Sequence, residues 1–63
     1  MRIIQKNYKN IINIYVFEAG EEQHIGSIYV EENGFKAIDP EEASTIKKTK
    51  SEAIEWLLVR AGY

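Results

Sequence analysis

The run Asn10-Ile11-Ile12-Asn13-Ile14-Tyr15-Val16-Phe17-Glu18 decides the fold. It is β-branched and aromatic, holds no glycine or proline, and reads as a strand over residues 10–18. Side chains alternate along a strand, so Ile12, Ile14 and Val16 share one face and Ile11, Asn13, Tyr15 and Phe17 the other. Ala19 to Gln23, with Gly20 and two glutamates, breaks the run as a turn. His24 to Glu31 follows as a second strand. Asn33-Gly34 between apolar runs is a strong hairpin signal and makes Phe35 to Ile38 a third.

Register follows from the pattern. A two-residue Asn33-Gly34 turn sets Val30 opposite Ala37 and Tyr29 opposite Ile38. In the first hairpin, a loop of three or five residues pairs Ile14 with Ile28 and Ile12 with Val30. An even loop would move an apolar set to the wrong face, so the odd loop is expected. One face then gathers Ile12, Ile14, Val16, Ile28, Val30, Phe35 and Ala37 as the core.

Asp39-Pro40-Glu41-Glu42-Ala43 is a loop, since proline bars a central strand. Ser44 to Lys48 is either loop or a short edge strand around Ile46. Thr49-Lys50-Ser51-Glu52 has the spacing of a capping box. The helix it opens runs over about residues 50–61, with Ile54, Leu57, Leu58 and Ala61 at helical spacing on one side and Gly62 beyond the end. Residues 1–9 are either a further short strand or an arm across the second face, with Ile3, Ile4 and Tyr8 as cover. The expected architecture is α+β: a three-stranded antiparallel meander, open to one extra short strand at either end, packed on one C-terminal helix. A helix of about twelve residues is about 18 Å long and covers one face of such a sheet.

The 63 residues allow one domain, and a chain of this size buries only about 60% of its unfolded surface. There is no cysteine, so neither a disulfide nor a thiolate metal site supports the core. Met1-Arg2-Ile3-Ile4-Gln5-Lys6 turns polar too early for a signal peptide, and Ile11–Phe17 falls short of the roughly 20 apolar residues of a membrane helix. A cytoplasmic location without membrane contact is the expectation. The net charge of −2 disfavours nucleic acid, whose binders draw affinity from phosphate neutralisation.

The segment Gly34-Phe35-Lys36-Ala37 followed by Thr49-Lys50-Ser51-Glu52-Ala53-Ile54-Glu55-Trp56-Leu57 resembles short bacterial and phage proteins of unknown function. In those, a hairpin precedes a capped helix. The resemblance spans the second half of the chain and brings no catalytic residues. The same β-β-β-α order occurs in integrase arm-type and AP2-type DNA-binding domains, whose basic sheet residues are not matched here.

No catalytic, cofactor-binding or metal-binding residue emerges. His24 is the sole histidine; Ser27, three residues on, is expected on the opposite face and out of its reach. The glycines are dispersed, so no phosphate loop exists, and Gly26 reads as a bulge or a close approach under the helix. The chain is read as a non-enzyme with no small-molecule substrate. Three surface features remain. Tyr15, Phe17, Ile25, Tyr29 and Ile38 on the second sheet face, with Trp56 and Val59 on the helix, form candidate partner-binding patches. Glu18, Glu21, Glu22, Asp39, Glu41 and Glu42 gather at one end of the sheet, as solvated turns or a docking surface for a basic partner. Lys47, Lys48 and Lys50 flank a helix N-terminus. The expected function is protein binding, to a partner or as a homodimer, with a nucleic-acid-binding sheet as the alternative.

Overall fold

In the computed structural model, which describes Met1–Tyr63, five strands precede one helix: β1 (Arg2–Tyr8), β2 (Ile11–Glu18), β3 (Glu21–Glu31), β4 (Gly34–Ile38), β5 (Ser44–Lys47) and α1 (Lys50–Arg60). The strands form one antiparallel sheet in the order β1-β2-β3-β4-β5, each beside its neighbour in sequence. The α+β class stands, but the sheet has five strands where three were expected. β5 is the short edge strand around Ile46. β1 is a strand and not a covering arm: it pairs with β2 from Arg2 opposite Phe17 to Tyr8 opposite Ile11. Its adjacent isoleucines explain why. Alternation sends Ile3 to the covered face and Ile4 to the other, so the segment serves both sides of the sheet as an edge and cannot lie over one of them.

The first hairpin departs from the expected loop. Glu18 opposes Glu21, and the two-residue turn Ala19-Gly20 has positive φ at both positions (55° and 78°), as a type I′ turn requires. That even turn alone would invert the faces. A bulge restores them: Ile14 opposes Gly26 while Tyr15 opposes His24, which leaves Ile25 as the extra residue on β3. Ile12 thus faces Ile28, not Val30, and Ile14 faces Gly26, not Ile28. The core set stays together although every pair in it is shifted.

The second hairpin is also shifted. Val30 opposes Phe35, Tyr29 opposes Lys36, Ile28 opposes Ala37, and Glu31 closes the turn against Gly34. The turn residues are therefore Glu32-Asn33. Neither has positive φ, and the glycine follows them, its preferred place after a type I turn. Gly34 belongs to β4, where a Cβ would collide with the Lys47 carbonyl oxygen of β5. The shift is by a whole pair, so the faces survive it.

α1 packs across β3, β4 and β5 on one face. Beneath it Ile12, Ile14, Val16, Ile25, Ile28, Ala37, Ala53 and Leu57 form the core, with Ile3, Phe35, Ile54, Trp56 and Leu58 packed around them. Val30, expected inside, lies at the end of the core face and is 43% exposed. Leu57 packs directly on Gly26: a Cβ there would strike Leu57 Cδ2 and come within 2.7 Å of the Ile38 carbonyl oxygen. Gly26 is thus both beside the bulge and the point of closest helix approach. Thr49 caps the helix, its Oγ accepting from Glu52 N–H at 3.1 Å, while the Glu52 carboxylate accepts from the Thr49 hydroxyl and not from its amide. At the other end Ala61 is the C-cap and Gly62 takes φ 94°. Ala61 is exposed there, outside the apolar side assigned to it.

The candidate open sheet face

The helix covers one side of the sheet only. The register defines the other as a lattice of rows crossing the strands. Ile4, Tyr15 and His24 form one row; Lys6, Asn13, Ser27, Ile38 and Ser44 the next; Tyr8, Ile11, Tyr29, Lys36 and Ile46 the third. Arg2, Phe17 and Glu22 close one end. Tyr15, Tyr29 and Ile38 are half-buried by lateral neighbours, while Tyr8 (63% exposed), Ile46 and Phe17 stand further into solvent.

Of the seven residues singled out from sequence, Tyr15, Phe17, Tyr29 and Ile38 share this face. Ile25 does not. As the bulged residue it turns into the core and is buried, because the bulge resets the alternation that had placed it with Tyr29. Trp56 and Val59 lie on the helix, away from the sheet face. Trp56 is half-buried against the core, and the Arg60 guanidinium lies 5.3 Å from its ring centroid. Val59 is exposed by itself beside a shallow groove shared with Lys47, Glu52 and Glu55. The helix patch is therefore narrow, and the sheet face is the broad one.

Four residues of β1 enlarge the face beyond what the sequence reading assigned: Arg2, Ile4, Lys6 and Tyr8. Its cations are thus Arg2 and Lys6 from β1 and Lys36 from β4, set against Glu22 and Glu31. Arg2 and Lys6 lie over aromatic rings. Lys6 Nζ is 4.5 Å from the Tyr15 ring centroid and Arg2 is 5.8 Å from that of Phe17, while Lys9 in the β1–β2 turn is 5.5 Å from that of Tyr8. Lys6 also donates to Glu22 Oε1 at 2.7 Å, and that hydrogen bond raises its pKa above the ordinary lysine value. The Tyr15 and His24 rings stand 5.0 Å apart.

The bulge also brings His24 and Ser27 to the same face, contrary to the simple alternation. Ser27 nevertheless donates its hydroxyl to Asn13 Oδ1 at 2.7 Å, so its proton is directed at an amide and away from the imidazole. No group of three or more histidine, aspartate or glutamate side chains stands together as a metal site, and no helix is long and apolar enough to cross a membrane.

The acidic end is less free than its composition implied. Asp39 is 6% exposed. Its Oδ1 accepts from the amides of Glu41 and Ala43 at 3.0 and 2.9 Å, and its Oδ2 accepts from Arg60 Nε. The Arg60 bond, aided by the two amides, lowers the Asp39 pKa against the desolvation that would raise it. Asp39 thus shapes the β4–β5 loop and ties it to the last turn of α1. Its partner lies 21 residues away, and the one local sign of its role was an aspartate heading a turn sequence. Compared with protein-family models, curated proteins and solved structures, the chain matches none.

Proposed function

We propose that this chain is a non-catalytic module that binds a protein, either a separate partner or a second copy, through the open face of its sheet. One observation carries the reading: a single helix leaves one whole face of a five-stranded sheet without cover, and Ile4, Ile11, Tyr15, Tyr29 and Ile38 lie across it. Apolar area of this breadth on a small domain is characteristic of contact surfaces. Tyrosines suit the role, offering broad apolar rings with a polar tip. The buried polar inventory argues against catalysis, since Asp39 is fully engaged in loop and helix contacts and Ser27 in its bond to Asn13.

A second reading has its own support. Arg2, Lys6 and Lys9 lie over aromatic rings along β1 and β2, the combination on which single-stranded nucleic acids stack. The net charge of −2 and the Lys6–Glu22 pair weigh against it. Recovery of partners on the tagged protein from its native extract separates the two. Protein recovered equally with and without nuclease, and lost with Tyr29→Lys, supports protein binding. Nuclease-sensitive recovery that weakens steeply with salt would transfer the face to nucleic acid.

A further inference from the structure

The four asparagines of the chain are not alike. Asn7 and Asn13 lie within β1 and β2, where Asn13 Oδ1 accepts the Ser27 hydroxyl. Asn10 ends the β1–β2 turn and precedes the branched Ile11. Asn33 alone is followed by glycine, and it is exposed in the β3–β4 turn. The amide carbon of an asparagine side chain is electrophilic, and the nearest nucleophile is the backbone nitrogen of the next residue. A side chain on that next residue crowds the small imide ring their union forms. Glycine has none. Asparagine counts among the thermolabile residues.

The fold requires the glycine that exposes Asn33 to this attack. Gly34 has φ 141°, and a Cβ there would collide with the Lys47 carbonyl oxygen of β5. The same hairpin restrains the reaction. Val30 N–H donates to the Asn10 carbonyl, toward β2, so the backbone groups of Glu31 point the other way, toward β4. There they meet Gly34, and the Gly34 N–H is engaged with the Glu31 carbonyl. As third residue of a type I turn, Asn33 has ψ of about 0°, which turns its side chain away from the Gly34 nitrogen.

We infer that Asn33 is a site of spontaneous covalent modification, its amide displaced by the Gly34 backbone nitrogen whenever the β3–β4 turn opens. The Gly34 nitrogen, its proton lost to solvent base, attacks Asn33 Cγ. The N–Cγ bond forms, the Cγ–Nδ2 bond breaks, and Nδ2 leaves as ammonia with protons from solvent. Water then opens the imide at either carbonyl, giving aspartate or isoaspartate; nothing is oxidised or reduced. Either product adds a carboxylate beside Glu31 and Glu32. The isoaspartyl product also inserts a backbone carbon into a turn whose ends are held by the Glu31–Gly34 pair. The inference concerns the tip of the hairpin and stands apart from what the open face binds.

The test is incubation of the full chain at mildly alkaline pH, with and without urea, followed by intact mass and peptide mapping. A gain of one mass unit is expected at Asn33, with an equal amount of ammonia released and both aspartyl and isoaspartyl peptides present. The rate in urea should be at least about tenfold higher, an opening cost of about 1.4 kcal/mol or more. Asn33→Gln should remove the event. Gly34→Ala should slow it in urea, a comparison that holds whether or not that variant folds. Modification spread equally over Asn7, Asn10, Asn13 and Asn33 overturns the inference, as does none at Asn33. An aspartyl product without isoaspartate would mean direct hydrolysis and discards the role of the Gly34 nitrogen. Equal rates in buffer and urea discard the restraint by the turn.

Discussion

On the covered face Ile14, Ile28 and Leu57 are sealed from solvent, whereas Tyr15, Tyr29 and Ile38, which alternate with the covered residues along the same strands, stay half-exposed. The strands are the same and only the parity of the residue differs. The buried positions of the covered face are aliphatic and packed to the point where Gly26 leaves no room for a methyl group. Open positions mix aromatic rings with lysine, arginine and asparagine. One face is shaped by the helix that fills it, the other by water and by what displaces water.

Substitutions on the two faces test how far that contrast runs. The largest effect is expected from Leu57→Ala, the centre of the helix contact, at about 2–5 kcal/mol of stability in chemical denaturation. In a domain this small that is a large share of the total. Gly26→Ala comes next, at about 1–3 kcal/mol, since its methyl must displace Leu57 at a backbone φ of 152°. A silent Gly26→Ala would mean that the helix has room to lift. Thr49→Ala should cost roughly 1 kcal/mol through the lost cap, read as a lower melting temperature. Tyr29→Lys closes the series on the open face: it sets a lysine directly opposite Lys36 and gives up half-buried ring area, for an expected cost of no more than about 1 kcal/mol. A Tyr29→Lys protein as damaged as Leu57→Ala would erase the distinction between the faces.

Acid provides a further probe, directed at the loop joining β4 to the sheet's last strand. The Asp39 pKa is lower in the folded protein than in the unfolded chain, chiefly through Arg60. Its stabilisation is complete above the unfolded carboxylate value, about 3.9, and is lost as pH falls through the lowered folded value. Thermal melts taken downward in pH should therefore show a decline in that acid window that Asp39→Asn lacks.

Much of this was legible in the sequence, and the failures share a cause. The helix, its Thr49 cap and its Gly62 end are written in local residue chemistry, and the core face is written in alternation. The alternation also implies the right parity for the first hairpin, but through an odd loop, whereas an even turn and a bulge produce it together. Nothing local distinguishes the two solutions, since Ile25 is apolar in either. The second hairpin slipped by one pair because Asn33-Gly34 suits two turn types, and the crowding of Gly34 against β5 is a tertiary fact. β1 remained ambiguous because Ile3-Ile4 satisfies neither face alone. The open face is legible in part, through Tyr15, Phe17, Tyr29 and Ile38, while Arg2 and Lys6 join it only through the pairing of that undecided strand.

The bulge at Ile25 has a consequence for how the chain tolerates length change. Removing Ile25 would join His24 directly to Gly26, so Tyr15 would still oppose His24 and Ile14 would still oppose Gly26, now in a regular ladder. The frame on both sides of the bulge would survive, and the loss would be that of one buried isoleucine side chain. The extra residue thus serves packing, supplying a core side chain that an unbroken ladder of the same register has no position for.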